Sequence, residues 1–391
     1  MPLYEPIIGL TGYKIISCRE PSHIELHVEY HEDNPCPFCG GLNLRKKDSF
    51  WRKIKHYSIG NQRSVLVIRT HKFLCRSCHK YFNQRLPGIR PRFQSSEPFR
   101  EEVAQKHHWG FSRAQSAKTL GISSSTVERC YKGFLSQKDS HRRNGSCPRV
   151  LGVDEKHFTK KRGYMTTFAD LKRRKVFDVT LGRSELSLKA YMRKMPDKAN
   201  CKVVVMDLSE TYRGLARRHF PGALIVADRF HVVKLINHHF LKTWAELDAV
   251  GRKNRGLLSL MRRHPENLKP EQVPKLQRYL DQTPGLKALY DFKQQLMKIV
   301  KARVYSKGQA RELIPEFLRC LQMLKDSGFE HMKTLGRTLE SWQEEVVRMW
   351  RFSKTNSITE GLHNRMEEII RRAYGFRNFE NFRLRVLNYC T

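Results

Sequence analysis

Val150-Leu-Gly-Val-Asp154, Cys201-Lys-Val-Val-Val-Met-Asp207 and Ala223-Leu-Ile-Val-Ala-Asp228 are three short apolar runs, and each ends on an aspartate. Runs this short and this aliphatic read as strands, the second of them of the buried type. Two further strands, Tyr164 to Asp170 and Lys175 to Thr180, flank the charged turn Leu171-Lys-Arg-Arg174 and predict a hairpin beside the first run. Helical periodicity covers Ser184 to Met195 and Thr211 to His219. A single strand stopped by Asp is ordinary turn chemistry. Three in one sheet bring carboxylates side by side.

The resulting order, βββ-α-β-α-β, is that of a ribonuclease H-like sheet, in which carboxylates at neighbouring strand ends converge on divalent metal. Asp228 and Glu360 are 132 positions apart, more than such a sheet needs, and the sequence between them reads as helical. Leu335, Leu339, Trp342, Val346 and Met349 form one apolar stripe, and Leu286, Leu289, Phe292, Leu296 and Ile299 another. Residues 236–350 therefore read as an all-α insertion, punctuated by Pro265, Pro270, Pro274, Pro284 and Pro315. Trp342 and Trp350 are candidates for base-stacking wedges, against the plainer expectation that both are buried in the bundle. Beyond it, residues 351–391 return to the core. Leu362, Met366, Ile369, Ile370 and Ala373 mark the buried stripe of a helix, and Glu360 stands near its start. Glu367 and Glu368 lie on the same helix, where Arg371 and Arg372 follow at ion-pairing distance. In this tail Arg365, Arg371, Arg372, Arg377, Arg383 and Arg385 interleave with Tyr374, Phe376, Phe379 and Phe382, a composition suited to gripping phosphates.

Upstream, Cys36-Pro-Phe-Cys39 and Cys75-Arg-Ser-Cys78 are two knuckles separated by 35 residues. Two such pairs supply the four thiolates of a tetrahedral zinc site with no open position, so the metal is structural. With strands at Phe50 to Tyr57 and Ser64 to Arg69, residues 1–92 read as a zinc ribbon with an N-terminal arm, displaying Arg45, Lys46, Lys47, Arg52, Lys53 and Lys55. Residues 93–137 read as a helix-turn-helix. Ser112 to Leu120 is one helix, Gly121-Ile-Ser123 the turn, and Ser124 to Phe134 the second helix, with Ala117, Ile122 and Val127 in its core. Ser124, Ser125, Glu128 and Arg129 would face a DNA groove. A polar, basic linker over 138–149 leads into the first part of the core, residues 150–235.

The chain has 391 residues, 74 Lys and Arg against 38 Asp and Glu, and a formal net charge of +36. A surplus of that size calls for a polyanion, double-stranded DNA before a membrane surface. There is no apolar run of transmembrane length, no secretory leader pattern, and ten cysteines are too few for a disulfide scaffold. The chain is expected to be cytoplasmic and nucleoid-associated. The fold class expected is an α+β multidomain protein: zinc ribbon and helix-turn-helix, then a ribonuclease H-like mixed α/β catalytic core interrupted by an all-α insertion.

Several segments carry a family resemblance: Gly152-Val-Asp-Glu155, Val204-Val-Met-Asp207-Leu-Ser-Glu-Thr-Tyr-Arg213, Ala227-Asp-Arg-Phe-His231-Val-Val-Lys234, Thr355-Asn-Ser-Ile-Thr-Glu360-Gly-Leu-His-Asn364, and the ending Arg371-Arg-Ala-Tyr-Gly-Phe-Arg-Asn-Phe-Glu-Asn-Phe-Arg383. They resemble the ISL3 family of bacterial insertion-sequence transposases, whose members also begin with a cysteine-paired zinc finger and a helix-turn-helix. The resemblance implies a DDE triad at Asp154, Asp207 and Glu360, with Asp228 and His231 matching an auxiliary (C/D)xxH signature. His363 departs from the Asn expected at its place. Such a triad would hold two Mg²⁺, with Mn²⁺ as a substitute, for hydrolysis and transesterification of phosphodiesters. The implied activity is binding of terminal inverted repeats followed by strand cleavage and transfer, on a homodimer or larger assembly. The alternatives are a zinc-containing DNA-binding regulator with an inactive core and a nuclease without joining activity. Acidic residues facing DNA in so basic a chain argue for the enzyme, because without metal they repel phosphate.

Overall fold

The computed structural model describes residues 8–20, 22–143, 146–352 and 357–390, with no side-chain description for 138–143 and 357. Thr355 and Asn356 of the quoted motif and residues 144–145 of the expected linker lie outside it. The chain divides into two compact units, Met1–Lys138 and Asp139–Thr391.

In the first unit, β1 (Tyr13–Arg19), β2 (Ile24–Tyr30), β3 (Leu44–Ile59) and β4 (Gln62–Cys75) form a sheet of order β1-β2-β4-β3, and β5 (Tyr81–Asn83) pairs with β4. Gly60 and Asn61 take left-handed backbone (φ +56° and +65°), the geometry of a two-residue turn between antiparallel strands. Both hairpin strands are longer than their composition predicts. Leu44 to Ser49 is charged and reads as loop, but β4 supplies the pairing partners down to Leu44 opposite Cys75. As the sheet edge, β3 tolerates charge, which also discourages edge-to-edge association.

The sheet buries Leu26, Val28, Ile54, Leu66 and Ile68 together with Ile8, Leu86 and Ile89. Then come α1 (Glu97–His108), α2 (Arg113–Leu120) and α3 (Ser124–Arg143). Ser112 and Gln115 form a capping box on α2, and Gly121 closes it in left-handed backbone (φ +62°). Val127, Leu120, Val103 and Phe99 form the small core, with Ala117 and Ile122 packed against it. Helix α3 runs nine residues past the expected stop at Phe134, so the linker expected from residue 138 begins as helix. Polar side chains leave the backbone hydrogen bonds of a helix intact, and no proline follows before Pro148, so polarity alone is a poor stop signal.

Ser96 ties the sheet to the helices. Its hydroxyl caps α1 by accepting the Phe99 N–H and also meets His56 Nδ1 at 2.8 Å, while His56 Nε2 reaches the Ile8 carbonyl at 2.8 Å.

In the second unit, β6 (Val150–Thr159), β7 (Gly163–Asp170) and β8 (Lys175–Leu181) form an antiparallel meander. Helix α4 (Glu185–Lys194) leads to β9 (Val203–Met206), and α5 (Glu210–His219) to β10 (Leu224–Ala227); both strands run parallel to β6, giving the order β10-β9-β6-β7-β8.

A helical segment follows: α6 (Arg229–Leu247), α7 (Ala249–Lys253), α8 (Arg255–Arg262), α9 (Gln272–Asp281), α10 (Pro284–Lys301), α11 (Lys307–Lys325), α12 (Glu330–Ser341) and α13 (Gln343–Met349). The chain ends with α14 (Ser357–Arg372) and α15 (Phe379–Tyr389). The boundary expected at residue 236 falls inside α6. One continuous core runs from Val153, Val204 and Val226 through Val232, Ile236 and Phe240 to Leu286 and Leu335, so the helices extend the core of the sheet instead of forming a separate one. Arg229 closes the loop by donating to the carbonyls of Ala302 and Met349. Pro315 lies within α11 and does not end it. Trp342 and Trp350 are buried, Trp342 beneath the Arg213 guanidinium at 4.2 Å and Trp350 against Phe317, which removes both from consideration as base wedges.

Ser96→Ala deletes both contacts of that hydroxyl, and urea unfolding of the full chain should show a loss of about 1–2 kcal/mol. An unchanged midpoint would contradict the tie. Burial holds the His56 imidazole down to about 4. The unfolded chain therefore takes up more protons than the folded one between about 6.5 and 4. Its contribution is complete above that window and declines as pH falls through it; His56→Gln should flatten the pH slope of the urea midpoint there.

Candidate active site and metal-binding cysteines

Register places the acidic residues. Val153 of β6 lies opposite Met206 of β9, and Met206 opposite Ala227 of β10. The residues that follow are Asp154, Asp207 and Asp228, so three aspartates stand level on neighbouring backbones that lie about 4.8 Å apart in the pairing direction. The Asp228 N–H donates to the Met206 carbonyl at 2.6 Å, and its carboxylate caps α6 by accepting the Phe230 N–H.

Their electrostatics are strained. Burial pushes Asp154 up to about 7, opposed by the Glu155 N–H at 2.8 Å and reinforced by the charges of Asp207, Asp228 and Glu155. Burial likewise pushes Asp207 up to about 7, with Glu155 and Asp228 adding to it. Asp207 Oδ1 is buried and has no hydrogen-bond partner among the described residues. A buried carboxylate oxygen left unpaired is costly, and a hard divalent cation would satisfy it. The donor set therefore fits a divalent ion.

Helix α14 docks beside this row. Lys156, two residues beyond Asp154, pairs with Glu367 at 2.6 Å. One turn earlier on α14, buried His363 places Nε2 3.0 Å from Thr167 Oγ1 and Nδ1 3.8 Å from Asp154 Oδ2. Thr167 is the residue directly across the β6–β7 ladder from Asp154. Glu360, three residues before His363, is exposed in the first turn of α14, and its charge reaches His231. His231 Nε2 lies 3.9 Å from Asp154 Oδ1 and 3.7 Å from Asp228 Oδ2, and burial lowers its pKa. Asp154, Asp207, Asp228, His231 and the helix bearing Glu360 thus meet at one end of the sheet. They are not drawn tightly together: the only set of three or more Cys, His, Asp or Glu ligand atoms within 4.8 Å of one another among the described residues is made of cysteines.

Sequence reading missed His363, Thr167 and the Glu155–Arg183 pair (3.0 Å) as parts of this site. The helical interval from Glu360 to His363 was a usable signal. Nothing in the sequence marked Thr167, whose place depends on strand register.

Cys36, Cys39, Cys75 and Cys78 converge, with Cys36 to Cys78 and Cys39 to Cys75 both 3.6 Å between sulfurs. Zinc–sulfur bonds of about 2.3 Å in a tetrahedron require sulfurs about 3.8 Å apart, so the set fits zinc. The two knuckles repeat one pattern of backbone donors. Cys36 accepts from the N–H groups of Phe38 and Cys39, Cys75 from those of Ser77 and Cys78, and the second cysteines from Gly41 and Lys80. Those of Cys78 and Ser77 help hold Cys75 down to about 6 against its burial.

Of the expected DNA-contacting residues, Ser124, Ser125 and Arg129 are exposed on α3. Glu128, half-buried on the same helix, pairs with Arg113 at 2.8 Å and Lys132 at 2.9 Å. Arg371 and Arg372 are exposed and pair with Glu367 and Glu368, as their spacing predicts, and Arg377 is exposed. Arg383 does not belong with them. It makes a largely buried two-pronged pair with Asp178 at 2.6 and 2.9 Å, and Phe379 and Phe382 pack on Phe158 instead of lining a surface.

A row of carboxylates on adjacent strands with a docked helix that bears Glu360, and a four-cysteine cluster in the first unit, define a protein with two candidate metal sites, one of hard oxygen donors and one of thiolates. Residues 151–386 match the DDE transposase model of the ISL3 family, and residues 32–78 match the zinc-finger of transposase IS204/IS1001/IS1096/IS1165. The chain belongs to the ISL3 family of transposases. It is 23% identical over 363 residues, 90% of this chain and 87% of the other, to the transposase for insertion sequence element IS1001 of Bordetella parapertussis. Among the described residues no helix is long and apolar enough to cross a membrane.

Cys75→Ser should leave the purified protein with well under one equivalent of zinc by inductively coupled plasma measurement. Full retention of zinc would refute the four-cysteine site.

Proposed function

We propose that this transposase cuts and joins DNA strands at the carboxylate row, with Asp154, Asp207 and Glu360 as the metal-holding triad and Asp228 and His231 in support. The observation that carries the proposal is the shared level of Asp154, Asp207 and Asp228, with a buried Asp207 oxygen that no described protein group satisfies. The order β10-β9-β6-β7-β8, with two parallel strands on one side of β6 and an antiparallel meander on the other, supports a ribonuclease H-like reading of the core.

Two Mg²⁺ ions, or Mn²⁺ in their place, would activate the attacking water or 3′-hydroxyl and stabilise the leaving oxygen. The protein's part is positional. Asp154 and Asp207 would hold ligand oxygens from rigid neighbouring strands, and Glu360 would complete the set from α14. His231 flanks Asp154 and Asp228, where it can steady both carboxylates. Arg371, Arg372 and Arg377 would draw phosphates toward this end of the second unit.

In the first unit, α2, the turn at Gly121 and α3 make a helix-turn-helix whose Ser124, Ser125 and Arg129 read transposon ends. The cysteine cluster holds structural zinc and presents the basic hairpin. Both terminal inverted repeats and target DNA are the partners, engaged by a dimer or larger assembly in the bacterial cytoplasm at the nucleoid.

Asp154→Asn, Asp207→Asn and Glu360→Gln should each lower Mg²⁺-dependent cleavage of labelled element ends by more than the ~100-fold typical of losing an outer partner of a metal site. DNA binding should persist. A variant that still cuts at the parental rate would remove its residue from the triad, and a parent that binds ends but never cuts in Mg²⁺ or Mn²⁺ would leave a regulator. Binding should also fall steeply with salt, each contacted phosphate adding about 0.9 to the log–log slope; a flat slope would count against the phosphate surface.

A further inference from the structure

We propose that His363 is a positioning residue for Asp154, its ring seated against the Thr167 hydroxyl of the neighbouring strand and steering the carboxylate oxygen Oδ2; this rests on the reading of Asp154 as a metal ligand. Three observations converge on the ring. It is buried, although a polar ring on α14 had exposed positions available. Both its nitrogens face polar atoms of the sheet, Nε2 the Thr167 hydroxyl at 3.0 Å and Nδ1 the Asp154 carboxylate at 3.8 Å. Thr167 and Asp154 are themselves a cross-strand pair, so ring, hydroxyl and carboxylate close a small polar circuit between β6, β7 and α14.

The chemistry of the circuit has a direction. A neutral imidazole carries one N–H, and whichever nitrogen lacks it presents a lone pair. With the proton on Nε2, the Nδ1 lone pair would point at an ionised carboxylate and repel it. With the proton on Nδ1, the N–H dipole favours the carboxylate, and the Thr167 hydroxyl donates to Nε2. An ionised Asp154 therefore selects the second arrangement, and the hydroxyl, able to donate, completes it, as partners of metal ligands commonly do. At 3.8 Å the contact is electrostatic rather than a hydrogen bond, so the ring steers the oxygen without tying it down. The other oxygen, Oδ1, is oriented independently by the Glu155 N–H at 2.8 Å. Because His363 lies one turn from Glu360, the same ring sets the docking of α14 against the strand that bears Asp154.

Four single variants separate positioning from packing: His363→Phe keeps a ring without its nitrogens, His363→Asn restores an N–H near the Nδ1 position but is too short for Thr167, Thr167→Val removes the hydroxyl, and Asp154→Asn tests the underlying reading. Each is measured for melting temperature, for Mn²⁺ affinity of the DNA-free protein by calorimetry, and for kcat and KM on labelled ends. His363→Phe should lose about 10- to 100-fold in Mn²⁺ affinity or kcat with KM for DNA and melting temperature little changed. His363→Asn should recover most of that loss, and Thr167→Val should show a smaller loss of the same kind. His363→Phe equal to the parent in both Mn²⁺ affinity and kcat, while Asp154→Asn is inactive, would overturn the positioning role and leave the triad standing. An active Asp154→Asn would overturn both. A His363→Phe defect that His363→Asn does not relieve at all would also overturn the role, by showing that an N–H facing the Asp154 carboxylate is not what the site requires.

Discussion

Like charges set side by side on neighbouring strands are the constraint to which the second unit is built. Parallel pairing of β6, β9 and β10 brings Asp154, Asp207 and Asp228 to one level, and burial then raises two of them to about 7. An arrangement like this costs stability in an empty protein and is worth keeping only where a cation repays it. The surrounding architecture holds the row in place. The helical segment grows directly out of Asp228, shares the core of the sheet and locks back onto the start of α6 through Arg229, so the strand ends have little freedom to drift apart.

The first unit solves a similar problem with a different donor. There a long hairpin carries Cys75 to the level of Leu44, close behind the first knuckle, and four sulfurs meet where two strands open. Backbone N–H groups in both knuckles favour the thiolate form, which prepares the site for a soft cation with a closed coordination shell. The carboxylate row differs in each respect: hard oxygen donors, a more open grouping, and a ligand candidate supplied by a helix from far along the chain.

That helix shows why polar contacts are placed where they are. Apolar residues Leu362, Met366 and Ile369 give α14 its affinity for the core but only loosely fix its rotation and slide. Lys156 with Glu367, and His363 with Thr167, are directional and fix both. Arg383 plays the same part for α15 through Asp178, a role hidden in a tail whose composition looks like a DNA-gripping surface.

The sequence by itself determined the elements whose signal is local: apolar runs leading into Asp154, Asp207 and Asp228, although β6 continues past Asp154 to Thr159, paired cysteines at knuckle spacing, capped helices around Gly121, and the charge that calls for a polyanion. Those follow from periodicity, spacing and composition, which a linear reading can measure. Only the tertiary structure decided what depends on partners distant in the chain. The length of β3, the burial of Trp342 and Trp350, the fusion of the helical segment with the core of the sheet and the conversion of Glu128 and Arg383 into ion-pair partners are all of that kind. So is the meeting of His363 with Thr167 and Asp154, because a cross-strand neighbour is set by register, and register emerges only when the sheet has formed.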